Sequence, residues 1–103
     1  MHVKDIRTEE WTPSYAGGSS RMDFLLKEEN MVIEVKNTRK GLGDRELGKQ
    51  LIEDKAKYKA HPGCQRLICF TYDPEGRIMN PRGIENDLNE KSDDFEVIVV
   101  IKP

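Results

Sequence analysis

The sequence predicts an α/β fold: a mixed sheet with an antiparallel hairpin at about 22–37, a main helix at about 44–60, and further strands at about 65–72 and 94–101. Three observations carry this reading. The apolar runs Phe24-Leu25-Leu26, Met31-Val32-Ile33, Leu67-Ile68-Cys69-Phe70 and Val97 to Ile101 have strand length. Turn signals separate them: Gly17-Gly18, Gly41-Leu42-Gly43, His61-Pro62-Gly63, Asp73-Pro74-Glu75-Gly76 and Asn80-Pro81-Arg82-Gly83. Helical periodicity fills the gap between two of these signals. Hairpin, helix, strand, helix and strand in succession suit a mixed sheet with helices packed against it.

Taken in order, residues 2–11 form a weak strand. Residues 22–28 and 30–37 make the antiparallel pair, turning at Glu29-Asn30. Residues 44–60 form a helix with Asp44 as N-cap. At 100° per residue, Leu47, Leu51 and Tyr58 fall on one stripe, with Gln50 and Asp54 at its edge. Residues 65–72 are a buried strand, 83–91 a short helix and 94–101 a last strand. The last strand is nearly all apolar, which suits cover on both faces. At an exposed edge it would invite pairing with another chain, so a homodimer is expected.

The chain has 103 residues, enough for one domain and one core. Its charged fraction is 35% but its net charge only −2, so a uniformly basic coat is absent and phosphate binding needs a local patch. Lys36, Arg39, Lys40, Arg45 and Lys49 supply one. Cys64 and Cys69 have neither zinc spacing nor a disulfide framework, which points to the reducing cytoplasm. No signal peptide or membrane span is read in the sequence.

The chemistry concentrates in "RMDFLLKEENMVIEVKNTRK". Alternation along a strand puts Val32, Glu34 and Lys36 on one face and Met31, Ile33 and Val35 on the other. A buried carboxylate needs a compensating cation, and Lys36 lies two residues from Glu34. The hairpin brings Asp23 near Glu34. Two close carboxylates repel unless a proton or metal lies between them. With a backbone carbonyl and waters they form the oxygen-rich set that Mg²⁺ prefers. A lysine beside that set can orient water or stabilise phosphate charge. The bland reading of Glu-x-Lys is a solvated ion pair of small energetic consequence.

Asp23, followed after ten intervening residues by Glu34-Val35-Lys36, resembles the D…(E)xK signature of the PD-(D/E)XK nuclease superfamily. Gln50 matches a helix glutamine that recurs in several branches. From about Trp11 to Leu88, including "WTPSYAGGSSRMDFLL", "IEVKNTRKGLGD" and "YKAHPGCQRLICFTYDPEGRIMNPRGIENDL", the chain resembles the nuclease domain of DpnII/MboI-type restriction-endonuclease-like proteins. That resemblance implies a restriction-endonuclease-like mixed sheet and Mg²⁺- or Mn²⁺-dependent hydrolysis of DNA phosphodiesters, with RNA left open. Asp23 and Glu34 would hold the metal with the Val35 carbonyl, Lys36 would position or activate water, and Gln50 would support the site. Met22 stands where the signature has proline. Relatives usually open with a helix before the first strand. Only Met1 precedes the strand read here at 2–11, so that helix is expected to be lacking, to come from a partner chain, or to belong to a longer parent. A non-catalytic nucleic-acid-binding or assembly module that keeps the fold is the alternative.

Further along, Ser14–Arg21 ("SYAGGSSR") offers amides, the Ser19 and Ser20 hydroxyls and Arg21 to an anion. Arg39, Lys40 and Arg45 would contact the nucleic-acid backbone. His61 is expected to be structural. Trp11, Tyr15 and Tyr58 are expected in packing rather than on bases, and Glu85 and Asp87 on a surface helix.

Overall fold

The computed structural model describes residues 21–103. Strand β1 (Arg21–Leu26) and strand β2 (Met31–Asn37) form the hairpin. Helix α1 (Asp44–Lys59), strand β3 (Arg66–Tyr72), helix α2 (Pro81–Leu88), strand β4 (Glu90–Lys91) and strand β5 (Glu96–Lys102) follow. The sheet order is β1-β2-β3-β5-β4. Strands β2, β3 and β5 run parallel, while β1 and β4 are antiparallel to their neighbours. The mixed α/β architecture expected from the sequence is the one found, and it is consistent with a restriction-endonuclease-like fold. The weak strand at 2–11, the 14–20 loop, Trp11 and Tyr15 lie outside the described residues.

Both crossovers, β2-α1-β3 and β3-α2-β5, step in the same direction along the sheet. Right-handed crossovers of that kind put both helices on one face. Val32, Leu67, Cys69, Val97, Val99 and Ile101 meet Leu47, Leu51, Tyr58 and Leu88 there, in one buried cluster. On the opposite face Met22, Phe24, Ile33, Val35, Ile68, Phe70, Ile98 and Val100 are half-buried. The last strand is therefore fully covered on one face only.

Local chemistry explains the joints. The hairpin turns at Lys27–Asn30, where Asn30 takes φ 53°, a left-handed conformation that asparagine tolerates. Helix α1 differs from expectation at its start: the N-cap is Gly43, without a side-chain cap bond. Asp44 is the first helical residue instead, and its carboxylate accepts the backbone N–H of Met79 (2.7 Å) and Asn80 (2.8 Å). It thereby ties the β3–α2 loop to the helix and complements the helix dipole, as does Glu46, with Lys57 and Lys59 in the last turn.

The second helix begins and ends earlier than expected. Asn80 caps it by accepting Gly83 N–H at 3.1 Å, and Pro81 follows at the first turn, where a missing N–H is harmless. Glu90 and Lys91, read as the helix end, form β4 instead. Strand β4 covers β5 only at Glu96 and Val97. Beyond it, Asn89 Oδ1 accepts Val99 N–H (2.7 Å) and Glu85 Oε2 accepts Ile101 N–H (2.8 Å). Glu85 is thus a cap on the sheet edge rather than a plain surface residue, whereas Asp87 is exposed. Among the described residues, no helix is long and apolar enough to cross a membrane.

Candidate active site

Strands β1 and β2 pair so that Asp23 stands directly opposite Glu34. Cross-strand partners share a face, and this face is the helix-covered one. Asp23 is 3% exposed, Glu34 0% and Lys36 2%. Charged groups so deeply buried require compensation, and α1 provides much of it. Lys36 Nζ donates to Gln50 Oε1 at 3.1 Å and to Asp54 Oδ2 at 3.1 Å. Tyr58 OH donates to Asp23 Oδ2. Gln50, Asp54 and Tyr58 are four residues apart in turn, so one side of α1 makes all three hydrogen bonds.

The neighbouring strand completes the surroundings. Cys69 is the register partner of Glu34 on β3 and is buried on the same face of the sheet. Burial, then the negative charges of Glu34 and Asp54, push the Cys69 thiol far up, so it stays protonated. Thr71, fully buried, is the partner of Lys36. Both cysteines are free thiols in the interior, and burial also raises Cys64.

The rim lies where β2 leaves the sheet. Arg39, Lys40, Arg45 and Lys49 are exposed there and along the first turns of α1. Asp73 organises this rim from the end of β3. Its carboxylate accepts the Thr38 hydroxyl (2.8 Å) and the N–H groups of Arg77 and Ile78 (2.9 Å each). Burial opposes the Asp73 charge. The Ile78 and Arg77 amides, the Thr38 hydroxyl and the Arg77 charge outweigh it and hold the carboxyl below its ordinary range. A cleft of about 190 Å³ opens at the other end, beside Asp23 and Tyr58, with Lys57 and His61 on its wall.

Of the residues singled out in the sequence, Asp23, Glu34, Lys36 and Gln50 come together. The Val35 side chain points to the opposite face. Arg39, Lys40 and Arg45 lie at the rim. Ser19 and Ser20 are outside the described residues, and Arg21 opens β1. Sequence reading under-weights Asp54, which is only 5% exposed. Its signal is present: Leu47, Leu51, Asp54 and Tyr58 have the i, i+4, i+7, i+11 spacing of a core stripe, with acid where a hydrophobe belongs. Tyr58, expected in packing, does pack, while its hydroxyl engages the site. Cys69 gives no signal beyond lying in an apolar run. His61 makes a local turn by accepting Gly63 N–H at 3.1 Å.

A divalent cation fits this donor set. Mg²⁺ is commonly held by one or two carboxylates, with water and phosphate filling the other positions. Asp23 and Glu34 provide two, and no group of three or more His, Cys, Asp or Glu ligands occurs among the described residues. The arrangement has the facing acids Asp23 and Glu34, the Lys36–Asp54 ion pair and a basic rim, and known proteins give it a context. The family model of DpnII-MboI restriction endonucleases matches residues 1–103. No curated protein matches the chain. No solved structure matches it.

Proposed function

The chain belongs to the DpnII-MboI restriction endonuclease family, a family of DNA nucleases, and from that premise we propose that it hydrolyses DNA phosphodiesters at Asp23, Glu34 and Lys36 with Mg²⁺ or Mn²⁺. The observation carrying this reading is the cross-strand pair Asp23–Glu34 on one buried face, with Lys36 two residues on. Asp23 and Glu34 would hold the cation, with the Val35 carbonyl. When bound, it supplies Lewis acidity at the phosphate and lowers the pKa of a bound water. An ammonium has three donors. Gln50 and Asp54 take two from Lys36, and the third suits a water or a phosphate oxygen. Gln50 therefore supports Lys36 rather than the metal. Arg39, Lys40 and Arg45 would follow the nucleic-acid backbone.

The test is calorimetric titration with Mg²⁺ and Mn²⁺ alongside plasmid cleavage, with Asp23→Asn as control. Metal binding and cleavage should both be lost in the variant. Cleavage that persists in Asp23→Asn overturns the assignment.

Burial favours one other reading. Glu34 and Lys36 are almost wholly enclosed, as in an ion-pair network of a non-catalytic nucleic-acid-binding module. A parent that binds DNA but cleaves nothing with any divalent ion establishes that alternative. The two free, buried thiols suit the cytoplasm, where we place the protein. In a homodimer, two copies would meet on the half-buried apolar sheet face, because β4, Asn89 and Glu85 close the outer edge of β5. Sedimentation showing only monomer removes the dimer and leaves the nuclease reading intact.

A further inference from the structure

We propose that Tyr58 is a positioning residue for the metal carboxylate Asp23. This rests on the reading of Asp23 and Glu34 as cation ligands. An aspartate carboxyl rotates broadly about its last torsion. Facing Glu34 across the hairpin therefore does not by itself present a defined oxygen to a cation. Tyr58 supplies a constraint, because its hydroxyl donates to Asp23 Oδ2 and so favours one orientation of the carboxyl.

The phenol is itself held. Tyr58 is 8% exposed and belongs to the core cluster, and the Lys57 ammonium lies 5.0 Å from its ring centroid. Helix geometry explains why this residue reaches β1 while its neighbours reach β2. From Gln50 to Tyr58 is eight residues, about 12 Å of rise and about 80° of drift around the axis. Gln50 and Asp54 accordingly meet Lys36, and Tyr58 meets Asp23 one strand further out. Hydrogen bonds to ligating carboxylates preorganise a metal site, and their loss typically weakens affinity or activity about 10- to 100-fold.

Tyr58→Phe keeps the ring and removes only the donor. Calorimetric titration of the DNA-free protein with Mn²⁺ should show at least about a 10-fold loss of affinity. Cleavage should need correspondingly more Mn²⁺ and recover most of its rate at saturating metal. A purely structural role would lower the melting temperature without moving the metal requirement. A second measurement needs no change at Tyr58. The chain has three tyrosines, so in Tyr15→Phe/Tyr72→Phe the remaining one is Tyr58. Its near-ultraviolet absorption should shift as Mn²⁺ binds, because the cation draws charge from the oxygen that accepts its proton. Unchanged Mn²⁺ affinity in Tyr58→Phe, or a silent tyrosine spectrum during calorimetrically visible binding, overturns the inference alone. A parent that binds no divalent ion overturns it together with the metal reading beneath it.

Discussion

Lys36 is tied to the fold by an ion pair, and in the proposed nuclease reading it would serve the chemistry as well. Its side chain is 2% exposed, and its ammonium lies 3.1 Å from Asp54, which is nearly as deeply buried. Removing one partner of such a pair leaves an uncompensated charge, at a cost of about 3–5 kcal/mol. Lys36→Met should therefore unfold at clearly lower urea concentration. Lys36→Met/Asp54→Leu should regain most of that loss, because both charges leave together. If the double variant is as stable as the parent yet cannot cleave, Lys36 acts in catalysis beyond its structural pairing. If the single variant is already as stable as the parent, the ion pair contributes nothing to the fold.

Asp73 offers a second residue-level test, with a definite sign. Its folded-state carboxyl is held below the ordinary carboxylate range despite its burial, by the Ile78 and Arg77 amides, Thr38 and the Arg77 charge. A depressed value means that the charged form stabilises the fold. The contribution is present above the unfolded value of about 3.9 and is lost as pH falls through the lower folded value. Asp73→Asn should therefore be less stable than the parent at neutral pH. The difference should shrink as pH falls below about 4. A gap that stays constant through that range would assign the loss to packing alone.

At the scale of elements, α1 and α2 have separate tasks. Helix α1 delivers Gln50, Asp54 and Tyr58 to the two strands of the hairpin. Helix α2 protects the sheet, since Glu85 and the following Asn89 occupy the N–H groups that β4 is too short to cover. Unpaired strand edges template association. Glu85→Ala and Asn89→Ala should each cost about 1 kcal/mol and raise the aggregation rate seen by light scattering. Equal aggregation in parent and variants would show that these side chains do not guard the edge. The same region is where the sequence places a helix too far along the chain. Asn80-Pro81 reads as a turn that precedes α2, whereas in the fold it is the cap and first turn of that helix.

Across the whole molecule, a chain with a net charge of only −2 would bind DNA through a local patch, and among the described residues Arg39, Lys40 and Arg45 offer one where β2 ends and α1 begins. Removing one cation from a phosphate should reduce the slope of log K against log salt by about 0.9 for duplex DNA. Arg39→Ala/Lys40→Ala should therefore bind duplex DNA more weakly at low salt and with a shallower salt dependence, by close to two such steps. An unchanged slope would place the phosphate-binding cations elsewhere.

The sequence by itself determined the hairpin, the main helix, the central strand and the last strand, because apolar alternation and turn residues are local signals. It also marked Asp23, Glu34, Lys36 and Gln50, since two acids and a lysine are conspicuous in strands that otherwise read as core. What only the tertiary structure decided is where each charge finds its counterpart. The Lys36 ammonium meets Asp54, 18 residues along the chain, and Tyr58 reaches Asp23 across 35. Such pairings depend on how far α1 sits from each strand and how its face is rotated. Asp44 shows the same dependence: its residue type announced a cap, yet the carboxylate serves the Met79 and Asn80 amides. Side-chain type and spacing are written locally, but the partner of a buried polar group is fixed by packing, which brings distant donors and acceptors within about 3 Å.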